Sequence, residues 1–389
     1  MTTTTTIPNI AAGAGTNPLK GLLAYGQSPW MDYIRRDLLT GGGLKKYIDN
    51  DGLRGMTSNP AIFEKAITGS NLYDDVLSSP DAKKLDANGV FEKIAIRDVQ
   101  DACDILKPVY AESKRRDGYV SLEVSPFLGF DTKASLAEAR RLWKAVDRPN
   151  IMIKIPGTPE GLPAIRQALE DGININITLL FAQSAYEHVA EAFLSALEAR
   201  AAKGQDISHI ASVASFFVSR IDSLVDSKID EKLKTISDAG QTALLESIRG
   251  KVAIANARLT YKKYQELFGG SRWKALAAKG GQTQRLLWAS TSTKNPKYRD
   301  VIYVEELIGA DTVDTIPPAT FDAFRDHGKL RPSLTENVDA AAKTMADLGK
   351  AGISMKEVTD KLLVDGVKLF ADAFKTLLDA TGKSAGVRA

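Results

Sequence analysis

The sequence predicts a closed (β/α)8 barrel, a TIM barrel, with additional helices. Three observations predict it. Short apolar runs of strand character alternate with amphipathic helical stretches along most of the chain, eight such strands can be counted, and no Pro/Ser-rich linker divides them. Each crossover helix returns the chain to the same edge of the sheet, so the strands are parallel. Eight parallel strands point to closure into a barrel rather than an open, doubly wound sheet.

Taken in order, the chain begins with Met1, five threonines and a small-residue stretch reaching Pro18. This segment has neither a cationic start nor an apolar run, so residues 1–18 read as a poorly ordered tail and not a secretory signal. Residues 19–389 read as one barrel domain. A first strand ends near Asp32, and a second covers residues 53–57. Ala95, Val99, Ala102 and Leu106 mark the inner face of a helix that carries Cys103, and a strand over residues 120–124 follows. Leu136, Ala139, Trp143 and Val146 step by 3, 4 and 3, the stripe of an amphipathic helix.

The strand over residues 151–155 is apolar except for Lys154, and its helix carries Leu162, Ile165 and Leu169. Thr158 and Pro159 read as its cap and first-turn residue. A strand over residues 173–180 precedes a helix with Tyr186, Val189, Phe193 and Ala196 on one face. Strands over residues 210–218, 286–290 and 313–316 complete the eight. Residues 221–284 are charged, helix-rich and longer than a minimal barrel needs. Leu363, Val367, Phe370, Phe374 and Leu377 step by 4, 3, 4 and 3, which predicts a long C-terminal helix packed on the barrel exterior.

At 44% hydrophobic and 25% charged residues over 389, the chain can bury a large core. The 51 basic and 48 acidic residues leave a net charge of only +3 and are interspersed, which argues against a nucleic-acid or anionic-membrane surface. A phosphorylated small molecule needs only a few local cations. A single cysteine excludes an internal disulfide and fits a reducing compartment, so the cytoplasm is the expected location. His188, His209 and His327 lie far apart without metal-ligand spacing, and no metal or cofactor is expected. Gly41, Gly42 and Gly43 read as a loop and not as a phosphate cradle, because no Gly-Lys-Ser/Thr follows.

The active site of such a barrel lies at the C-terminal ends of its strands, where polar residues interrupt apolar runs. Lys154 in Ile-Met-Ile-Lys-Ile-Pro is the sharpest case, since burying an unpaired ammonium costs several kcal/mol. Either its head group escapes to solvent, or it faces a polar cavity where a desolvated amine attacks a ketone to form a Schiff base. Glu123, Asn59, Asn176 and Thr178 also interrupt or close strands. Each alone is an ordinary satisfied polar group; together with a lysine they point to one cavity. Schiff-base chemistry needs proton transfers, which Glu123 can relay through a water. Asp32 could serve as a second acid/base group, although from the residues alone a carboxylate in the first turn of a helix is the favoured reading. Ser215 and Arg220 could bind phosphate, with Lys294 as a second cation, although a surface ion pair and an exposed loop lysine are competing readings. Cys103, with no histidine near it in sequence, reads as structural.

The runs Thr57-Ser58-Asn59-Pro60-Ala61-Ile62-Phe63, Ser121-Leu122-Glu123-Val124, Ile151-Met152-Ile153-Lys154-Ile155-Pro156 and the stretch over residues 172–181 resemble the transaldolase family, in order and spacing. The likeness runs from about Leu19 to the C-terminal helix and is closest to the longer bacterial subfamily. It implies Lys154 as the Schiff-base residue, Glu123 as the water-assisted acid/base and Asp32 as the base for carbon–carbon cleavage. Asn59, Asn176 and Thr178 would hold substrate hydroxyls and a catalytic water, Thr57 and Phe217 would line the site, and Ser215 with Arg220 would bind phosphate. The implied donors are sedoheptulose 7-phosphate and fructose 6-phosphate. Glyceraldehyde 3-phosphate and erythrose 4-phosphate are the implied acceptors, with the protein acting as a monomer or homodimer. One departure stands out: Ala289-Ser290 is followed by Thr-Ser-Thr-Lys where many relatives carry an arginine, so Lys294 would replace that phosphate contact. Two rival readings are an aldolase that releases free dihydroxyacetone and a non-catalytic sugar-phosphate-binding barrel.

Overall fold

In a computed structural model, which describes residues 17–387, eight parallel strands close into a barrel in sequence order. They are β1 (Gln27–Asp32), β2 (Gly55–Thr57), β3 (Tyr119–Glu123), β4 (Ile151–Pro156), β5 (Ile175–Leu180), β6 (Ser212–Phe217), β7 (Arg285–Ala289) and β8 (Thr312–Ile316). All eight expected strands are present within a residue or two of their expected ends. Of the tail expected over residues 1–18, residues 1–16 lie outside the described residues, while Asn17 caps a short helix opened by Pro18.

Where boundaries differ, local hydrogen bonding explains it. The second strand starts at Gly55, although the Arg54 amide already donates to Pro29 O at 2.8 Å. The fifth starts at Ile175 because the Asn174 side chain ties neighbouring strands together, donating to Pro149 O and Ile151 O and accepting from the Ala211 amide. Thr158 does accept the Gly161 amide at 2.9 Å at the head of helix Gly161–Asp171. Pro159 precedes that helix, and Pro163 occupies its first turn. The glycine run opens directly into a helix at Gly43.

The barrel interior is filled in layers. At the N-terminal end Arg285 donates to Ser28 Oγ at 2.7 Å and pairs with Asp117 at 2.8 Å, and Ser28 donates to Asp117 at 2.8 Å. Above this plug the Trp30 ring lies across Gly55, where a Cβ would sit 2.5 Å from the ring, so only glycine fits. Removing one partner of such a buried pair strands the other charge. Asp117→Ala is therefore expected to cost about 3–5 kcal/mol of stability, read by denaturant unfolding, whereas a change within experimental error would show that the plug holds nothing.

Four helices lie between β6 and β7: Ser219–Leu233, Ala239–Ile248, Val252–Gly269 and Ser271–Ala277. They account for the charged segment over residues 221–284. Asp222 fastens two of them, accepting from the Ala253 amide at 2.8 Å and from Tyr303 Oη at 2.9 Å. The C-terminal helix, Met355–Ala385, packs on the barrel as expected, with Val367, Phe374 and Leu377 buried. Its middle does more than cover the exterior, since Phe370 reaches the cavity at the C-terminal rim. No described helix is long and apolar enough to cross a membrane.

Candidate active site

Strand register places the chemistry. Glu123 of β3, Lys154 of β4 and Asn176 of β5 are paired in one row across the sheet, and Asp32 of β1 pairs with Thr57 of β2. Alternate residues of a strand share a face, so Ser121 with Glu123, Asn176 with Thr178, and Ser215 with Phe217 point the same way. Lys154 is 5% exposed, which excludes the reading in which its head group reaches solvent. Its Nζ donates to Ser58 O at 3.1 Å and stands 3.5 Å from Glu123 Oε2.

The Glu123 side chain is 4% exposed, and neither of its oxygens receives a hydrogen bond from the described residues. Burial pushes its carboxyl above the ordinary glutamate range, against the pull of the Lys154 ammonium. Asp32 ends β1 and faces the cavity, not a helix turn, and Thr57 Oγ1 donates to its Oδ1 at 2.7 Å. Burial pushes the Asp32 carboxyl up, opposed first by Lys154 and then by that hydrogen bond, Lys294 and Arg220. A buried amine thus sits between two acids that hold their protons more tightly than free carboxylic acids do.

A cavity of about 160 Å³ opens at the C-terminal mouth. Nine of the eleven expected residues line it: Asp32, Thr57, Asn59, Lys154, Thr178, Ser215, Phe217, Arg220 and Lys294. Glu123 and Asn176 do not. Asn176 has its amide committed, donating to Ser121 Oγ at 3.0 Å and accepting from Ser215 Oγ at 2.6 Å. Ser215 therefore lies deep beside Asn176. The Thr178 hydroxyl is buried without a hydrogen-bond partner among the described residues. Asn59 caps helix Pro60–Thr68 by accepting the Ile62 amide at 3.1 Å, which leaves its Nδ2 for the cavity.

The two cations face the cavity together. Among the described residues neither Arg220 nor Lys294 has a carboxylate within 4.0 Å, so the ion-pair alternative for Arg220 does not hold. Arg220 lies 5.4 Å over the Phe217 ring. Lys294 stands at the exposed mouth and donates to Ser292 Oγ. Partial burial and the positive charge of Arg220 both hold its ammonium below the usual lysine range. Two like charges held near each other, with serine hydroxyls beside them, suit a dianionic ligand group.

Sequence reasoning missed Ser290, Ser292, Thr315 and Phe370 on the cavity wall. Thr315 was findable, since its hydroxyl lies 2.6 Å from Thr57 Oγ1 and strand alternation turns it inward. Ser290 adopts a left-handed backbone, φ 57°, immediately after β7, and Leu179 does so at φ 62° where the β5–β6 register shifts. Such strained rim residues concentrate at functional sites. Cys103 is fully buried, and burial pushes its thiol up, consistent with a structural role. Among the described residues no cluster of three His, Cys, Asp or Glu side chains could hold a metal ion.

A strand-end lysine kept from water, flanked by two buried acids at the mouth of a parallel barrel, is the arrangement that a Schiff-base-forming carbonyl enzyme requires. The family model described as Transaldolase/Fructose-6-phosphate aldolase matches residues 29–381, and the chain belongs to that family. Among known proteins it is 48% identical to a transaldolase of Trichodesmium erythraeum, over 94% of this chain and 97% of the relative. It is 45% identical to a transaldolase of a Parafrankia species, over 95% and 99%, and 43% identical to one of Thiobacillus denitrificans, over 94% and 100%.

Proposed function

We propose that this enzyme is a transaldolase of the non-oxidative pentose phosphate pathway, working in the cytoplasm on phosphorylated sugars. The observation that carries this reading is the buried Lys154 amine, 3.5 Å from Glu123 in one barrel mouth with Asp32. Lys154 attacks the ketone of sedoheptulose 7-phosphate or fructose 6-phosphate. Glu123, through a water, protonates the carbinolamine hydroxyl, which leaves as water. Asp32 takes the proton of the hydroxyl on the fourth carbon, the bond between the third and fourth carbons breaks, and its electrons flow into the iminium. The aldose product departs. The enamine then attacks the aldehyde of glyceraldehyde 3-phosphate or erythrose 4-phosphate, Asp32 returns its proton, and hydrolysis frees Lys154. The protonated imine is itself the electron sink, so these steps need no cofactor.

Thr57 holds Asp32, Asn176 positions Ser215 from below, and Asn59 and Thr178 offer groups to substrate hydroxyls. Arg220, Lys294 and Ser292 form the phosphate end, with Lys294 taking the contact that the family resemblance gives to an arginine. Ser215, expected at the phosphate, is better placed for the sugar chain.

The test is borohydride reduction with fructose 6-phosphate. A mass increase matching a dihydroxyacetone-derived adduct on Lys154 is expected; an unchanged mass would leave only the binding-protein reading. Product formation should also depend strictly on erythrose 4-phosphate, since steady release of dihydroxyacetone without an acceptor would make the enzyme an aldolase.

For the phosphate end, Arg220→Ala is expected to raise KM for fructose 6-phosphate by about 10- to 100-fold, the worth of a charge-assisted hydrogen bond of ~1.5–3 kcal/mol. Turnover of unphosphorylated fructose should be unchanged. A parallel loss with both sugars would remove Arg220 from the phosphate site.

A further inference from the structure

We propose that Phe370 shields the Lys154 imine from bulk water and so decides whether the bound three-carbon unit is transferred or lost to hydrolysis. The proposal rests on the Schiff-base reading above and deepens it. The other walls of the cavity come from barrel strands, the loops that follow them and, at Arg220, the first turn of the helix after β6, whereas Phe370 comes from the C-terminal helix, far along the chain. Its ring centroid lies 5.9 Å from Lys154 Nζ.

The helix is fixed on both sides of that ring. One turn before it, a Cβ at Gly366 would lie 3.0 Å from Leu179 Cδ2, so helix backbone and strand rim are in close contact. One turn after it, the Phe374 ring sits between Phe91 and Phe127, at 5.5 and 5.6 Å. Leu179, like Ser290, is a rim residue in the left-handed conformation, and it directly follows Thr178 of the cavity wall. The strained rim and the glycine together bring the helix close enough for Phe370 to reach the amine.

Transfer requires the enamine to survive between departure of one aldose and arrival of the next. In the competing reaction the enamine takes a proton on the third carbon of the unit, water adds to the iminium carbon, and the carbon–nitrogen bond breaks. Free dihydroxyacetone and the Lys154 amine result. A phenyl ring offers water no hydrogen-bonding partner, while its face attracts the iminium cation. It disfavours the water and holds the intermediate.

The measurement is a ratio: dihydroxyacetone released from fructose 6-phosphate without acceptor, divided by transfer to erythrose 4-phosphate. Both rates scale with the amount of folded enzyme, so partial unfolding leaves the ratio alone. Phe370→Ala is expected to raise it by about tenfold, and Phe370→Leu, which keeps apolar bulk, by less. Gly366→Leu leaves the ring intact but wedges the helix away from Leu179, and should raise the ratio too; it and the leucine variant carry the test if Phe370→Ala does not fold. An unchanged ratio across the variants overturns the proposal. Loss of the wild-type borohydride adduct would instead remove the underlying Schiff-base reading, so the two failures are distinguishable.

Discussion

Replacing Lys154 by arginine or alanine is expected to lower transfer by at least ~10⁴-fold and to abolish the borohydride adduct, because Lys154 is the buried amine beside Glu123, whereas Lys294, also on the cavity wall, stands at the exposed mouth beside Arg220. Arginine is the sharper variant. It keeps a cation beside Glu123, 3.5 Å from the present amine, so the ion pair has a substitute while the nucleophile does not. A guanidinium stays protonated throughout the physiological range and cannot attack a ketone. Steady-state transfer between fructose 6-phosphate and erythrose 4-phosphate, with thermal unfolding as a control for folding, reads the effect. Retention of more than about one per cent of wild-type transfer would mean that Lys154 is not the nucleophile.

The second large effect is expected at Glu123. Glu123→Gln should slow transfer by about 10²- to 10⁴-fold, the range for losing a positioned acid/base group. The pH profile separates chemistry from a merely structural role. Burial raises the Glu123 carboxyl, so it stays protonated to higher pH than a free glutamate and can donate to the carbinolamine below that raised value. Wild-type turnover should therefore decline as pH rises through it, and the glutamine variant should lose this limb. Asp32, also raised by burial, acts as a base only above its own value, so the rise on the acid side should persist in Glu123→Gln. A variant that is slower but keeps the full profile would reduce Glu123 to a partner that merely holds Lys154 in place.

Asp32, Lys294 and Phe370 show how far the chain can be read without coordinates. As a sequence, Asp32 fits a helix start better, and the cleavage base is only what the family resemblance implies; the hydrogen bond from Thr57, 25 positions away, and the facing charges of Lys154, Lys294 and Arg220 give it a cavity. Lys294 read as a loop lysine or as a phosphate contact, and it became one of a pair only when the rims of β6 and β7 brought it toward Arg220. Phe370 was legible only as one step in an apolar stripe. A ring that packs on a core and a ring that roofs an amine have the same periodicity.

By itself the sequence determined the eight strands, their parallel order and the row of polar strand ends, because alternation and period are written within short windows and each buried polar residue breaks an apolar run. The tertiary structure alone decided which of those polar groups touch. Barrel closure and register align Glu123 with Lys154 and commit Asn176 to two serines, and the path of the last helix carries Phe370 across the mouth. Those contacts join residues tens to hundreds of positions apart, and their geometry is set by how whole elements pack, which no local pattern encodes.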